Sequence, residues 1–212
     1  MSEDTRQPHP RRRARRPRGS LAPAVILDAA EAVASQGFDA LTMRAVATRL
    51  GVAPMALYNH FADKDQLVDA LLDRVLSRFD PPPPSTDWIE DLGGFARAHR
   101  RLLTGHPWAV APLFTRPSPG LGAVRIGEHA LAVLERGGIT GDRAVAVFSG
   151  VIALNYGWAS FVTVRDTSVG AALRMLPAEQ FPLTVGVADE MGAYGSDEHY
   201  ELVLGQLLGG LR

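Results

Sequence analysis

The chain has 212 residues, of which 46% are hydrophobic and 21% charged, with no cysteine and a formal net charge of -1. A sizeable core can form, while disulfides, thiolate metal sites and cysteine nucleophiles are excluded, and the composition suits a reducing, cytoplasmic compartment. The near-neutral total hides an asymmetry, because residues 1–20 hold Arg6, Arg11, Arg12, Arg13, Arg15, Arg16 and Arg18 against only Glu3 and Asp4, and the rest of the chain is net acidic. Residues 1–20 are therefore expected to form a disordered, Arg-rich arm that attracts phosphate, although a solvated tail without a partner has the same composition. No apolar run follows the arginines, so a secretion signal is not expected.

Helical spacing recurs from Leu21 onward. Ile26, Ala30, Val33 and Gly37 share one face of a helix over 21–37, with Gly37 able to take a left-handed stop. Thr42 is placed to cap a second helix that buries Met43, Val46, Ala47 and Leu50, and Gly51 ends it. Pro54 opens a short third helix, where its missing N–H does no harm. Asp63, with Gln66 three residues later, predicts a capping box for a fourth helix whose stripe is Leu67, Leu71, Val75 and Phe79. The run Pro81–Pro84 ends that helix and separates a unit over 21–80 from one over 86–212.

Beyond the prolines, Asp87 starts a helix carrying Trp88, Leu92, Phe95, His99 and Leu102 on one side. Glycine and proline break residues 104–122. A helix near 121–136 follows, then an uncharged one over about 143–165, a poorly patterned stretch to about 176, a weak helix around 178–192 and a last helix from Asp197 to Leu211. The uncharged segment could just span a bilayer by length. However, Asn155 lies at its centre with Ser149, Tyr156, Ser160 and Thr163 around it, and a buried core helix is the expected reading, with no membrane partner.

Residues 42–61, TMRAVATRLGVAPMALYNHF, carry the most information. Two short helices joined by a glycine turn make a helix-turn-helix, with small residues (Ala47, Val52) where the helices touch. Leu57 and Phe61 would face inward, leaving Pro54, Met55, Ala56, Asn59 and His60 free to enter a major groove about 12 Å wide. Asparagine can pair bidentately with adenine, and apolar Met or Ala can touch a thymine methyl.

Ile26, Ala29-Ala30, Val33, Gly37, Thr42, Val46-Ala47, Gly51-Val52, Leu57-Tyr58, Phe61, Lys64 and Leu67 resemble the N-terminal signature of the TetR family of repressors. The C-terminal part resembles that family's tetracycline-repressor type of domain more loosely, through His106-Pro107-Trp108, Gly137-Gly138, the apolar helix and the closing Leu207-Leu208-Gly209-Gly210-Leu211. One departure is Ala53, where the family usually has a capping serine. The resemblance implies an all-α fold: a helix-turn-helix head of three helices with a long fourth, joined to a larger helical ligand-binding and dimerisation bundle. It implies that Thr42, Arg44, Tyr58 and Lys64 contact phosphates, and that Met55, Ala56 and Asn59, on a recognition helix from Pro54 to His60, face bases of a palindromic double-stranded operator. A homodimer released from DNA by a small-molecule effector is the expected mechanism.

The apolar helix and the final stripe of Tyr200, Leu204, Leu207 and Leu211 are expected to pair with their copies across a two-fold axis. Eleven of the 15 aromatic residues lie after the proline run. They suit a largely hydrophobic effector site lined by His99, Trp108, Phe114, Asn155, Trp158 and Phe161, between the Trp88–Leu102 helix and the apolar one, or simply a core. No HExxH, Walker loop or GxSxG is present, and Glu128-His129 and Glu198-His199 are adjacent pairs that diverge on a helix, so no metal, cofactor or catalytic site is expected. The alternatives are a constitutive architectural DNA-binding protein without effector, an all-helical enzyme, and a membrane-anchored sensor.

Overall fold

The computed structural model describes residues 21–116, 120–161 and 168–212; the Arg-rich arm and the end of the apolar segment past Phe161 lie outside them. All regular structure in the described residues is helical. The head comprises α1 (Pro23–Ala34), a 3-10 turn (Phe38–Ala40), α2 (Met43–Leu50), α3 (Met55–Tyr58) and α4 (Lys64–Leu76). The body comprises α5 (Trp88–Thr104), α6 (Pro107–Thr115), α7 (Leu121–Arg136), α8 (Gly141–Phe161), α9 (Val169–Arg174), α10 (Pro182–Gly186), α11 (Ala188–Gly192) and α12 (Asp197–Gly209).

Local chemistry sets the helix ends. The Thr42 hydroxyl accepts from the Ala45 amide at 3.0 Å, and Gly51 stops α2 in the left-handed conformation with φ 68°. Asp63 accepts from the Gln66 amide at 2.8 Å, but the Gln66 side chain accepts from the Ala62 amide instead of the Asp63 amide, so the box is shifted by one residue. Asp87 caps α5 through the Ile89 amide at 2.8 Å. Other features also depart from expectation: α4 ends at Leu76, short of Phe79 and the proline run. The first helix ends at Ala34, and Gly37 (φ 127°) instead leads into the 3-10 turn. Residues 107–115 are helical: Pro107 sits at the tolerant N-terminus, and Pro112, inside α6, forgoes one backbone bond to the preceding turn. The region 169–192 holds three short helices, not one.

One continuous core runs from the head into the body. Ile26, Leu41, Val46, Leu57, Leu67, Leu71 and Val75 fill the head, and Leu92, Phe95, Leu103, Leu134, Val151, Tyr200 and Leu204 fill the body. α4 joins the two. A Cβ on Gly122, at the start of α7, would lie 2.8 Å from the Asp73 carbonyl and 2.9 Å from the Leu76 Cβ, so this close approach needs glycine. There the Gly122 amide donates to the Asp73 carboxylate at 2.7 Å.

α8 is long and apolar enough to cross a membrane by length and composition. Within a single chain only its Ala144, Val151, Asn155 and Ala159 are buried. The opposite stripe, including Val145, Ser149 and Ala153, is exposed, so one chain does not enclose this helix on all sides as its pattern predicts.

Candidate DNA-binding face and the polar core of the body

α3 is positioned by two buried side chains, Leu57 and Phe61, which sink into the head core. Its other face is open. Met55 is 71% exposed and Tyr58 45% exposed, while Pro54, Asn59 and His60 also face solvent and Ala56 is half-buried. With alanine at position 53, α3 has no side-chain cap and begins on a backbone bond from the Ala56 amide to the Ala53 carbonyl at 2.9 Å. Thr42 and Arg44 are exposed at the start of α2, and the Lys64 ammonium lies 5.5 Å from the centre of the Phe38 ring at the start of α4. The nine residues expected to meet DNA are thus exposed or half-buried on the α2, α3 and α4 segment of the head. They make a surface of donors, an amide and apolar contacts.

In the body, the residues expected to line an effector site separate into different environments. His99 and Asn155 are buried and satisfy each other: the Asn155 amide nitrogen donates to His99 Nδ1 at 3.1 Å and to the Ala96 carbonyl at 3.0 Å. The Tyr200 hydroxyl donates to Asn155 Oδ1 at 2.8 Å. Burial lowers the His99 pKa to about 4, since no acidic partner compensates for lost hydration, and raises that of Tyr200 to about 12. The Arg100 guanidinium stacks 4.2 Å over the Tyr200 ring and reaches Asp197 at 2.6 Å. Trp158 donates to the Ser196 carbonyl at 3.0 Å, and Phe161 packs against Tyr194 with ring centres 4.7 Å apart. Trp108 is half-buried against the core, whereas Phe114 is 72% exposed, its ring 6.0 Å from that of Tyr156. Among the described residues no cluster of three or more His, Cys, Asp or Glu could hold a metal ion.

Sequence reasoning gave no sign of the contacts that tie body to head. α6 is held at both ends. At its C-terminal end Arg116 donates to Asp65 at 3.0 Å and to Asp69 at 3.0 Å, both on α4. At its N-terminal end the His106 ring donates through Nδ1 to the Leu102 carbonyl and accepts through Nε2 from Arg78, each at 2.8 Å. Arg78 in turn pairs with Glu31 of α1 at 2.5 Å and 2.7 Å, and this guanidinium holds the Glu31 carboxyl below the usual carboxylate range. Arg74 pairs with Asp28 beside it.

A short exposed helix seated on a glycine turn, carried by a helical body through one long connecting helix, defines a helix-turn-helix regulator. The chain belongs to the tetR family of bacterial regulatory proteins: residues 26–71 match that family's model, and residues 80–212 match the model for the tetracyclin repressor-like C-terminal domain. It is 34% identical over 62% of its length to an HTH-type transcriptional regulator of Saccharopolyspora erythraea, covering 56% of that protein. It is 29% identical over 88% of its length to the class A tetracycline repressor from transposon 1721 in Escherichia coli, covering 88% of it. The fold is similar to that of the Streptomyces coelicolor TetR family protein ActR in complex with (S)-DNPA, with TM-score 0.81, 28% identity, and 90% and 96% of the two chains covered. The chain spans just over half the length of the first curated relatives it matches.

Proposed function

We propose that the protein is a DNA-binding transcriptional repressor, cytoplasmic and homodimeric, that leaves a palindromic operator when a small, largely hydrophobic molecule binds its helical body. The observation that carries this reading is α3, which buries Leu57 and presents Met55, Tyr58 and Asn59 outward. Asn59, Met55 and Ala56 read bases; Thr42, Arg44, Tyr58 and Lys64 hold phosphates; Pro54 and His60 bound the recognition helix. Support for an effector comes from the ActR structures, solved in complex with (S)-DNPA and with actinorhodin.

Dimerisation is supported by surface left open in one chain: Val145 of α8 is 56% exposed, and Leu202 and Val203 of α12 are 60% and 36% exposed. A second copy related by two-fold symmetry covers these stripes and fixes the spacing of two recognition helices. The effector acts by binding more tightly to the arrangement in which that spacing is wrong.

The test is selection of binding sites from random duplex DNA with the purified full chain. An inverted repeat with half-sites about one helical turn apart is expected. Recovery of sequences without a two-fold preference would refute the operator reading.

A further inference from the structure

Between α6 and α8 lies a cavity of about 320 Å³, walled by Val110, Ala111 and Phe114 on one side and Tyr156, Gly157 and Ser160 on the other. That volume is at the lower end of the range for small-molecule sites, about 300–1,000 Å³, and suits two or three fused rings. No described lining side chain is charged. The Thr115 and Ser160 hydroxyls are already committed to the Ala111 and Gly157 carbonyls, at 3.0 Å and 2.6 Å. Tyr156 differs: its ring packs on Phe114 and His99, but its hydroxyl makes no hydrogen bond to any described residue. Burial raises the Tyr156 pKa, so the phenol stays a protonated donor at neutral pH.

We propose that this cavity binds an uncharged aromatic molecule bearing a hydrogen-bond acceptor, with Phe114 and Tyr156 stacking on its rings and the Tyr156 hydroxyl selecting its oxygen. Its identity as the effector site rests on the regulatory reading above; its ligand chemistry does not. Among the described lining side chains only the Tyr156 hydroxyl is an uncommitted donor, so a carboxylate, which gives up more hydration than a neutral acceptor, binds more weakly. A ring lacking an acceptor leaves the hydroxyl unpaired and binds less well.

The experiment is calorimetric titration of the full chain with naphthalene, 2-acetylnaphthalene and 2-naphthoate, each up to its solubility limit. The ketone is expected to bind about five- to tenfold more tightly than naphthalene, and the carboxylate at least about tenfold more weakly than the ketone. Tyr156→Phe, which keeps the ring, should bring the ketone-to-naphthalene ratio close to one with unchanged thermal stability. Phe114→Ala should weaken both neutral compounds. The assignment is overturned if neither neutral compound binds, if 2-naphthoate binds as tightly as the ketone, or if Tyr156→Phe leaves the ratio unaltered. It is also overturned if Phe114→Ala converts dimers to monomers without affecting the probes, which would mark an interface between copies. Release of selected operator DNA is measured separately: ketone binding without release would count against the effector reading and leave the cavity chemistry standing.

Discussion

His99 Nδ1, on α5, accepts a hydrogen bond of 3.1 Å from the side-chain amide of Asn155 in the C-terminal half of α8. Because the Tyr200 hydroxyl donates to the other end of the same amide at 2.8 Å, one asparagine joins α5, α8 and α12. Asn155→Ala leaves a histidine nitrogen and a phenol without their partner in a buried core and opens a void, so a stability loss of about 2–4 kcal/mol is expected. Urea unfolding would show it as a lower midpoint at unchanged slope. A variant of wild-type stability with a blunted effector response would instead make Asn155 a ligand contact.

The burial of His99 predicts an acid response. In the folded chain burial places the His99 pKa at about 4, whereas an unfolded histidine titrates near 6.5. Between those values the unfolded state binds more protons, so the contribution of His99 is fully present above about pH 6.5 and is lost as pH falls towards 4. The loss is on the order of 3 kcal/mol at most. Unfolding free energies of wild type and His99→Gln, compared at pH 7.5 and 5.0, should show the wild type losing more stability on acidification. Equal losses would mean that His99 titrates in the fold as it does in the unfolded chain, with no shift from burial.

Capping residues were legible because they act within a turn: Thr42, Gly51, Asp63 and Asp87 each do what their residue type predicts. The outward set on α3 was legible for the same reason, since Leu57 and Phe61 at i and i+4 leave only one other face. α6 was hidden by Pro107 and Pro112, which read as breakers even though the first is harmless at a helix start. The cavity and the anchors of α6 were illegible in principle, because Arg116 meets Asp65 and Asp69 across 51 and 47 residues of chain. A sequence pattern names side chains that can form ion pairs, but not which distant partner the fold delivers.

Those anchors predict a separation of stability from DNA affinity. Arg116 and its partners are partly exposed, with Asp65 and Asp69 72% and 55% exposed, so Arg116→Ala should cost under about 1 kcal/mol. It nevertheless frees the C-terminal end of α6 from α4 and so loosens the head on the body. Weaker operator binding, by several-fold, is expected from the lost preorganisation. Fluorescence anisotropy alongside thermal unfolding checks this, and unchanged affinity would show that the ion pairs do not orient the head.

The exposed stripe of α8 predicts the assembly. Ala153 is exposed in one chain, so Ala153→Glu has no reason to disturb the monomer core but places a charge between two copies of α8. Leu207→Glu is less clean, because Leu207 is half-buried against the core of its own chain. Phe161→Glu is less informative, because Phe161 packs within its own chain on Trp158 and Tyr194. Sedimentation velocity should give wild-type dimers and variant monomers with poor operator affinity. A wild-type monomer at micromolar concentration would defeat the two-fold arrangement.

The outward face of the head separates affinity from specificity. Asn59→Ala removes a side chain able to bond adenine bidentately, so it should relax preference at one base position per half-site, at a cost of about 1–3 kcal/mol on the preferred sequence. Tyr58→Phe deletes a hydroxyl assigned to phosphate and should weaken binding on all sequences alike. Lys64→Met should do the same and reduce the slope of log affinity against log salt by about 1, since one fewer counterion is released. Removing residues 1–18, with seven arginines, should flatten that slope further while leaving the selected operator sequence unchanged. Binding measured on operator and scrambled DNA across a salt series distinguishes all four. If Asn59→Ala instead weakens both DNAs equally, Asn59 contacts the DNA backbone and the sequence is read by other residues.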